Sequence, residues 1–414
     1  MGKSFSIVSL GCFRNLYDSQ IIAEEYIKKG FKLKKEIDNL DILIINTCGF
    51  IKEAKEESIV AIKEAIELKE KGKIKKISVR GCLVTRYLRQ LKYYFPQIDE
   101  WRKVLPLSDR RFPVSRFFSP SHIAFLKICD GCSHRCSFCA IPFIKGRLKS
   151  RDWRAILKEV EFLDKAGVKE LNIIGQNITD WGKDLYADKD LVFLLRKILN
   201  SLKNINWVRL LYLHPRDISP SLINLIAKEE KICKYIDLPI QHINDRILKL
   251  MRRNVRKKDI SRLIAEIREK IPNVVLRASV IVGFPSERED EFRELLEFIK
   301  EVKFEKLGAF MYSREENTSA YHIQPQIHYQ IKKRRYHQIM QTQKEISYQL
   351  NKRLVGKKMD VIVDEKRNNL YIGRTQFDCY EIDGIVYIKK KKLKVGKIYK
   401  VKIADAYEYD LVGE

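Results

Sequence analysis

Residues 129–139 read CDGCSHRCSFC, and they follow directly on HIAFLKI (122–128), a short apolar run of strand character. Three of the four thiols, Cys132, Cys136 and Cys139, are spaced C-x3-C-x2-C. That set leaves a four-coordinate metal one ligand short. Three thiolates in one loop suit a 4Fe-4S cluster with three irons held by protein and one left open, because iron–sulfur clusters are ligated by cysteine thiolates. The alternative is zinc: Cys129 extends the run to C-x2-C-x3-C-x2-C, and four thiolates can close a structural zinc site. So few residues leave little chain to wrap a tetrahedral ion. Cys129 belongs to the strand, and the sequence leaves its role unassigned.

Working outward, the strand before the loop is the first of six. ELNIIG (170–175), NWVRLLYL (206–213), YIDLPI (235–240), VVLRASVIVGF (274–284) and KLGAFMYS (306–313) follow, separated by amphipathic stretches such as WRAILKEVEFLDKAG and EREDEFRELLEFIKEV. Strand then helix, repeated, predicts a parallel barrel or partial barrel whose chemistry lies at the strand C-termini. The thiol loop sits at such a terminus. Polar residues at other strand ends or inside these strands need partners, which makes Gly175, Gln176, Asn177, Asp237, Gln241, His242, Arg277 and Ser279 candidates for ligand contacts or for satisfied core groups.

Toward the N-terminus, three apolar runs each finish in a cysteine: SFSIVSLGC at Cys12, LDILIINTC at Cys48 and IKKISVRGC at Cys82. Their spacings, 36 and 34 residues, match one βαβ unit. Helical stretches SQIIAEEYIKKG and SIVAIKEAIELKEKGK lie between them, so an open parallel sheet is expected, with the three thiols along the edge where ligands bind. A lone cysteine is usually a small buried hydrophobe; three at one structural position read as a three-thiolate site for a second cluster. Beyond RRYHQIMQTQKEISYQLNKRL the chain turns to short strands, MDVIVDE, NLYIGRT, GIVYIKKKKL and KIYKVKIADA, which fit a small β-barrel. The expected fold is α/β, with an open parallel sheet domain (1–117), a partial (β/α)6 barrel (118–342) and a C-terminal β-barrel (343–414).

Lys plus Arg (81) exceeds Asp plus Glu (54), a formal net charge of +27, which favours a polyanionic partner such as RNA or a particle built on it. The run Lys389 to Lys394, interrupted by Leu393, suits phosphate or an acidic protein face, or equally a solvated edge strand guarded by lysines. No apolar stretch approaches the roughly 20 residues of a membrane span, and MGKSFSIVSLGC lacks the apolar region of a signal peptide. A cytoplasmic protein is expected. In that reducing compartment nine cysteines are ligands or catalytic thiols rather than disulfides; Cys233 and Cys379 read as ordinary cysteines.

CSHRCSFC, with Phe138 before its last thiol, resembles the cluster loop of the radical S-adenosylmethionine superfamily. There the open iron is taken by the amino and carboxylate groups of S-adenosylmethionine. With Cys12, Cys48 and Cys82 matching ligands of an auxiliary 4Fe-4S cluster, the resemblance extends over essentially the whole chain to the methylthiotransferases. VSLGCFRNLYDS, NTCGFIKEAKEES, KICKYIDLPIQHINDRILKLMRR, GRTQFDCYEIDG and ADAYEYDLVGE resemble the RimO branch more than the tRNA-modifying one. The resemblance implies two 4Fe-4S clusters and two roles for S-adenosylmethionine. One molecule gives a methyl group to sulfur at the auxiliary cluster. Another is cleaved to a 5′-deoxyadenosyl radical that takes hydrogen from the β-carbon of an aspartate in small-subunit ribosomal protein S-twelve, free or on the ribosome, with an external electron donor. It also implies a TRAM domain at the C-terminus, with possible RNA contact, and cofactor contacts near Phe138 and a loosely matching Gly175-Gln176-Asn177 turn. The alternatives are the same chemistry on a tRNA adenosine, or a zinc-containing RNA-binding protein without catalysis. Departures from the family pattern are Phe13-Arg14 after the first cysteine, Cys129 itself, Ser286 in FPSE, and Arg314 and Asn317 in YSREENT.

Overall fold

The computed structural model describes residues 2–108, 112, 117–389 and 392–414; Lys390 and Lys391 of the lysine run lie outside them. Runs of Ile, Val and Leu near the start form strands β1 (Ser4–Ser9), β2 (Lys32–Leu33), β3 (Leu40–Thr47), β4 (Ile74–Gly81) and β5 (Glu100–Arg102), linked through helices α1 (Phe13–Lys28), α2 (Lys52–Glu70) and α3 (Cys82–Tyr94). The sheet order is β2-β1-β3-β4-β5 and its pairings are parallel. A parallel sheet covered on both faces needs strands apolar along their length. LDILIINT and the second half of IKKISVRG supply them, with Leu43, Ile44, Ile45, Ile77 and Val79 at 0–1 % exposure.

The central sheet holds β6 (Ile123–Lys127), β9 (Glu170–Ile174), β10 (Trp207–Leu210), β11 (Ile232–Gln241), β12 (Val275–Val282) and β13 (Lys306–Met311), side by side in chain order and parallel. The short antiparallel pair β7 (Cys129–Asp130) and β8 (Lys149–Ser150) brackets the thiol loop, and α4 (Ile141–Ile144) lies inside it. Side chains alternate across the sheet. Leu126, Leu171, Ile173, Val208, Leu210, Ile236, Leu276 and Ala278 enter the large core beneath α5 (Trp153–Lys165), α6 (Leu191–Ser201), α7 (Pro220–Lys228), α8 (Asp245–Leu250), α9 (Lys257–Lys270), α10 (Glu289–Val302) and α11 (Tyr329–Lys352). Their neighbours Phe125, Trp207, Cys233, Tyr235 and Val275 face the other way.

That second face is covered from two sides, by Tyr17 and Ile21 of α1 and by residues of the C-terminal barrel, including Ile362 and Cys379. The barrel closes in the order β14 (Lys358–Arg367), β15 (Leu370–Thr375), β16 (Val386–Ile388), β18 (Leu411–Gly413) and β17 (Ile398–Ala406). A buried chain of charges fastens it to the sheet. Glu170 receives Arg209 Nε at 2.9 Å and Arg374 Nη2 at 2.6 Å, Arg374 Nε reaches Asp364 at 2.7 Å, and Asp364 meets His122 Nε2 at 2.9 Å. Burial pushes the Glu170 carboxyl up, but the two guanidiniums outweigh it and hold it down at about 2. Helix α11 leads into the barrel, so the junction expected at 342/343 lies inside a helix.

Candidate functional site

The central thiol loop leaves β7 and is pinned by its backbone. Cys132 N donates to Gly146 O (3.1 Å), Cys139 N to Cys136 O (3.1 Å), and Ser137 N to Met251 O (3.0 Å), with Ser137 Oγ on Leu250 O (2.7 Å). The turn that receives Ser137 also supplies Arg253. This guanidinium is 1 % exposed; Nη1 reaches Cys136 Sγ at 3.7 Å and Nη2 donates to Pro239 O at 2.6 Å. Burial pushes the thiols of Cys132 and Cys139 up to about 11 and about 12, so these sulfurs ionise readily only once a metal binds them. Phe138 packs against the apolar cluster that contains Ile247, Met251, Ile281, Phe284 and Tyr312.

Cys129 turns away from this loop. It is 0 % exposed, its Sγ donates to Asn177 O at 3.6 Å, and a Cβ on Gly175 would lie 2.6 Å from that sulfur. The four-thiolate zinc site is therefore not formed, because the strand pleat sends the fourth sulfur into the core. Among the described residues, neither cysteine trio brings all of its sulfurs within 4.8 Å of one another. Tetrahedral zinc, with Zn–S bonds of about 2.3 Å, would draw them to roughly 3.8 Å. At least one pair of sulfurs in each trio thus stands wider apart than tetrahedral zinc would hold it.

The second trio is assembled by strand ends. Cys12 follows β1, Cys48 follows β3, and Cys82 follows β4 and opens α3. Each stands beside a glycine that close packing requires. A Cβ on Gly11 would sit 2.8 Å from Cys48 Sγ, one on Gly49 2.7 Å from the Leu83 backbone, and one on Gly81, at φ +106°, 2.5 Å from Thr47 O. Burial raises the Cys48 thiol and lifts that of Cys82 to about 12. Cys12 reaches solvent; crowding by protein raises its thiol, yet the adjacent Arg14 guanidinium and backbone N–H groups bring it below its ordinary value.

Arg14 also spans to the central domain, donating from Nη1 to Gly175 O at 2.7 Å. Phe13, the other unusual residue there, stacks on Phe125 at 4.2 Å. Beneath them, Lys145 Nζ donates to Asp18 (3.1 Å) and Asp130 (3.3 Å), and Lys127 Nζ binds the same two carboxylates. A buried polar seam thus joins α1, which follows Cys12, to the strands and turn that flank the central thiol loop.

The remaining sequence candidates divide. Gln176 is 8 % exposed and its Oε1 has no partner. Asn177 Nδ2 lies 3.3 Å from His134 Nε2, and Asn177 Oδ1 accepts from Thr179 Oγ1 (2.6 Å). Asp237 and Arg277 spend their charges on each other (2.9 Å), Asp237 also receives Tyr212 N (2.9 Å), and Arg277 lies 3.6 Å from Asp383 of the barrel. Gln241 has φ +69°, and Ser279 is partly exposed on β12. His242 is fully buried between Glu287 (3.4 Å) and Asn244 N (3.0 Å). Cys233 and Cys379 are core residues. Sequence reading missed Arg253, Tyr212, and the stacked pair His134 and His214 (4.4 Å), whose neighbours Asp180 and Asp217 raise His134 to about 9. Arg253 ends the family-like segment KICKYIDLPIQHINDRILKLMRR, Tyr212 lies in the strand NWVRLLYL and His134 in the thiol loop, but the sequence did not single any of them out. Two altered loop residues now make sense: Ser286 (φ +63°) and Asn317 (φ +68°) occupy left-handed positions where glycine is the usual choice, and Asn tolerates this better than Ser.

The Radical SAM superfamily model matches residues 126–299, the TRAM domain model 355–414, and Uncharacterized protein family UPF0004 residues 4–102. The chain is 42 % identical to the ribosomal protein uS12 methylthiotransferase RimO of Clostridioides difficile over 99 % of its length and 98 % of that protein, and 42 % identical to the RimO of Thermoanaerobacter sp. over 100 % of both. The chain belongs to the RimO family of radical S-adenosylmethionine methylthiotransferases. It is an enzyme of that class. The fold is shared with the radical S-adenosylmethionine methyltransferase TsrM from Kitasatospora setae, at TM-score 0.52, 14 % identity and 75 % coverage of each chain. The closed C-terminal barrel is the TRAM domain. No helix among the described residues is long and apolar enough to cross a membrane.

Proposed function

We propose that this RimO-family enzyme inserts a methylthio group at the β-carbon of an aspartate in ribosomal protein uS12. The observation that carries the reading is Arg14, which lies beside the Cys12 thiol and binds Gly175 O at the end of β9, and so ties the N-terminal trio to the strand ends of the radical domain. Cys132, Cys136 and Cys139 would hold one 4Fe-4S cluster, and Cys12, Cys48 and Cys82 the auxiliary one. When bound, these clusters and S-adenosylmethionine supply the one-electron chemistry, the methyl group and the sulfur that no side chain provides.

The chain's own residues do the rest. Arg253 places a fixed positive charge against Cys136, which offsets the negative charge of a thiolate-ligated centre. Asp237 holds Tyr212 at φ +68° by accepting its N–H, and Arg277 holds Asp237. Gln176, with its unpartnered oxygen, Asn177, Gln241 and Ser279 are the groups left to meet S-adenosylmethionine at the strand ends, beside the Gly175 backbone and Phe138. The described lysines of the TRAM barrel suit RNA or an acidic protein face, so the substrate can be met on the ribosome. An external donor supplies electrons, and the cytoplasm is the matching compartment.

The test is mass spectrometry of uS12 and of tRNA after incubation with the anaerobically reconstituted enzyme, S-adenosylmethionine and a reductant. A methylthio group replacing one hydrogen on a uS12 aspartate is expected. Methylthiolation of tRNA with uS12 untouched overturns the substrate.

A further inference from the structure

The loop after β13, Tyr312–Thr318 in sequence YSREENT, meets the N-terminal domain where α2 and α3 begin. Its Glu315 is 2 % exposed and accepts from Arg86 Nη1 at 2.7 Å and Lys55 Nζ at 2.9 Å. The same Arg86 nitrogen donates to Gly49 O at 2.8 Å, beside Cys48. Arg86 lies one turn into α3, the helix that Cys82 opens. Helix α2, which follows Cys48, has no side-chain cap of its own; its first N–H, Lys52 N, donates instead to Ser313 Oγ at 3.1 Å, and Ser313 Oγ donates to Glu315 at 2.6 Å. A helix end left without partners costs stability. Here the other domain supplies the partner.

Three further facts mark this contact as specific. Helix α3 kinks at Tyr87 (φ −128°, ψ 27°), where the Tyr87 hydroxyl donates to Glu316 at 2.5 Å. The N-terminal side brings two cations to the contact, Lys55 and Arg86, and the loop two anions, Glu315 and Glu316, which pair across it. Arg86 and Glu315 are 4 % and 2 % exposed, whereas Glu316 is 52 % exposed. The inner pair therefore carries the energy, since exposed pairs contribute little and a broken buried pair strands a charge.

We propose that Arg86 and Glu315 are positioning residues for methylthio transfer: their buried ion pair fixes the helix that follows Cys48 and the helix that Cys82 opens against the last strand loop of the radical domain, and so sets the separation of the two sulfur trios. This rests on the proposed function in that both trios must serve one substrate atom. Neither residue touches substrate.

The test uses Glu315→Gln in the full chain, with Ser313→Ala as a milder second variant should the first fail to fold. Hydrogen exchange on the unloaded chain is expected to rise at least about tenfold in 49–56, 82–90 and 313–318, with the β9–β12 amides unchanged. After reconstitution, iron and sulfide match wild type and 5′-deoxyadenosine formation stays within about twofold, while methylthiolated product falls about tenfold or more, because misplacement of roughly 1 Å has that effect. Ser313→Ala gives the same pattern at smaller amplitude. Unchanged exchange, undiminished product, or equal loss of product and 5′-deoxyadenosine overturns the proposal. If wild type modifies no uS12, the substrate reading fails, and the exchange result still decides the latch.

Discussion

The two sulfur trios reach similar chemistry by opposite routes. Cys132, Cys136 and Cys139 come from one loop whose shape is fixed by a few backbone hydrogen bonds and by Arg253. Cys12, Cys48 and Cys82 come from three strands, and they converge only because β1, β3 and β4 are in register and glycine stands next to each thiol. A local site fails through its loop. A non-local one fails through its sheet. Robustness therefore differs where ligand type does not.

The sharpest break in this comparison is replacement of whole trios. Cys132, Cys136 and Cys139 changed together to Ala should remove about half of the iron and sulfide and abolish 5′-deoxyadenosine formation. The Cys12, Cys48 and Cys82 triple variant should lose a similar share and still form 5′-deoxyadenosine. Metal analysis and chromatography of the cleaved cofactor separate them. Next in size is Gly81→Ala, which forces a side chain to φ +106° and 2.5 Å from Thr47 O. A strain of about 1–3 kcal/mol follows, and selective loss of iron from the N-terminal trio is expected, with normal 5′-deoxyadenosine formation.

Arg253→Met probes the local trio without touching a ligand. Losing a cation 3.7 Å from Cys136 Sγ should disfavour addition of an electron by about 1.5–3 kcal/mol, read as a lower midpoint in an EPR-monitored redox titration. The N-terminal trio should not shift. The smallest effect is expected from Ser286→Gly, which relieves a left-handed serine at φ +63° and should stabilise by about 0.5–1 kcal/mol in thermal melts, with the iron content of both sites unchanged.

Acid gives an independent view of the frame around the local trio. The Glu170 carboxyl is held at about 2 against an ordinary 4.5, so its contribution is fully present above pH 4.5 and fades as pH falls toward 2. Contact between the TRAM barrel and the central sheet should loosen in that window, seen as faster exchange at 370–378 before global unfolding.

The contrast between the trios also explains what could be read in advance. Strands with continuous Ile and Val runs, ending in Gly-Cys or Cys-Gly, announce both the parallel sheet and its thiols, because strand-end position is encoded within about ten residues. The Cys132–Cys139 loop is local by construction. Arg253, which lies 117 residues from Cys136, and Glu315, 229 from Arg86, stand in family-like segments, yet nothing local says which distant residue each will meet. Cys129 stayed open in sequence since C-x2-C spacing fits either direction of a pleat; only the packing of Gly175 against its sulfur decides it. Asp237 and Arg277 are polar for each other's sake, a pairing across neighbouring strands that alternation alone does not disclose.

The TRAM barrel is anchored through His122, Glu170, Lys306 and Lys234, all at or near the beginnings of central strands, whereas the reactive loop follows the finish of β6. At about 3.3 Å per residue, a strand of five to ten residues separates floor from ceiling by roughly 15–35 Å. A macromolecule gripped by the barrel must therefore reach around the flank of the sheet to present a side chain above. Barrel mooring and thiol chemistry thus sit at opposite strand ends, and a disturbance at one reaches the other only through the sheet.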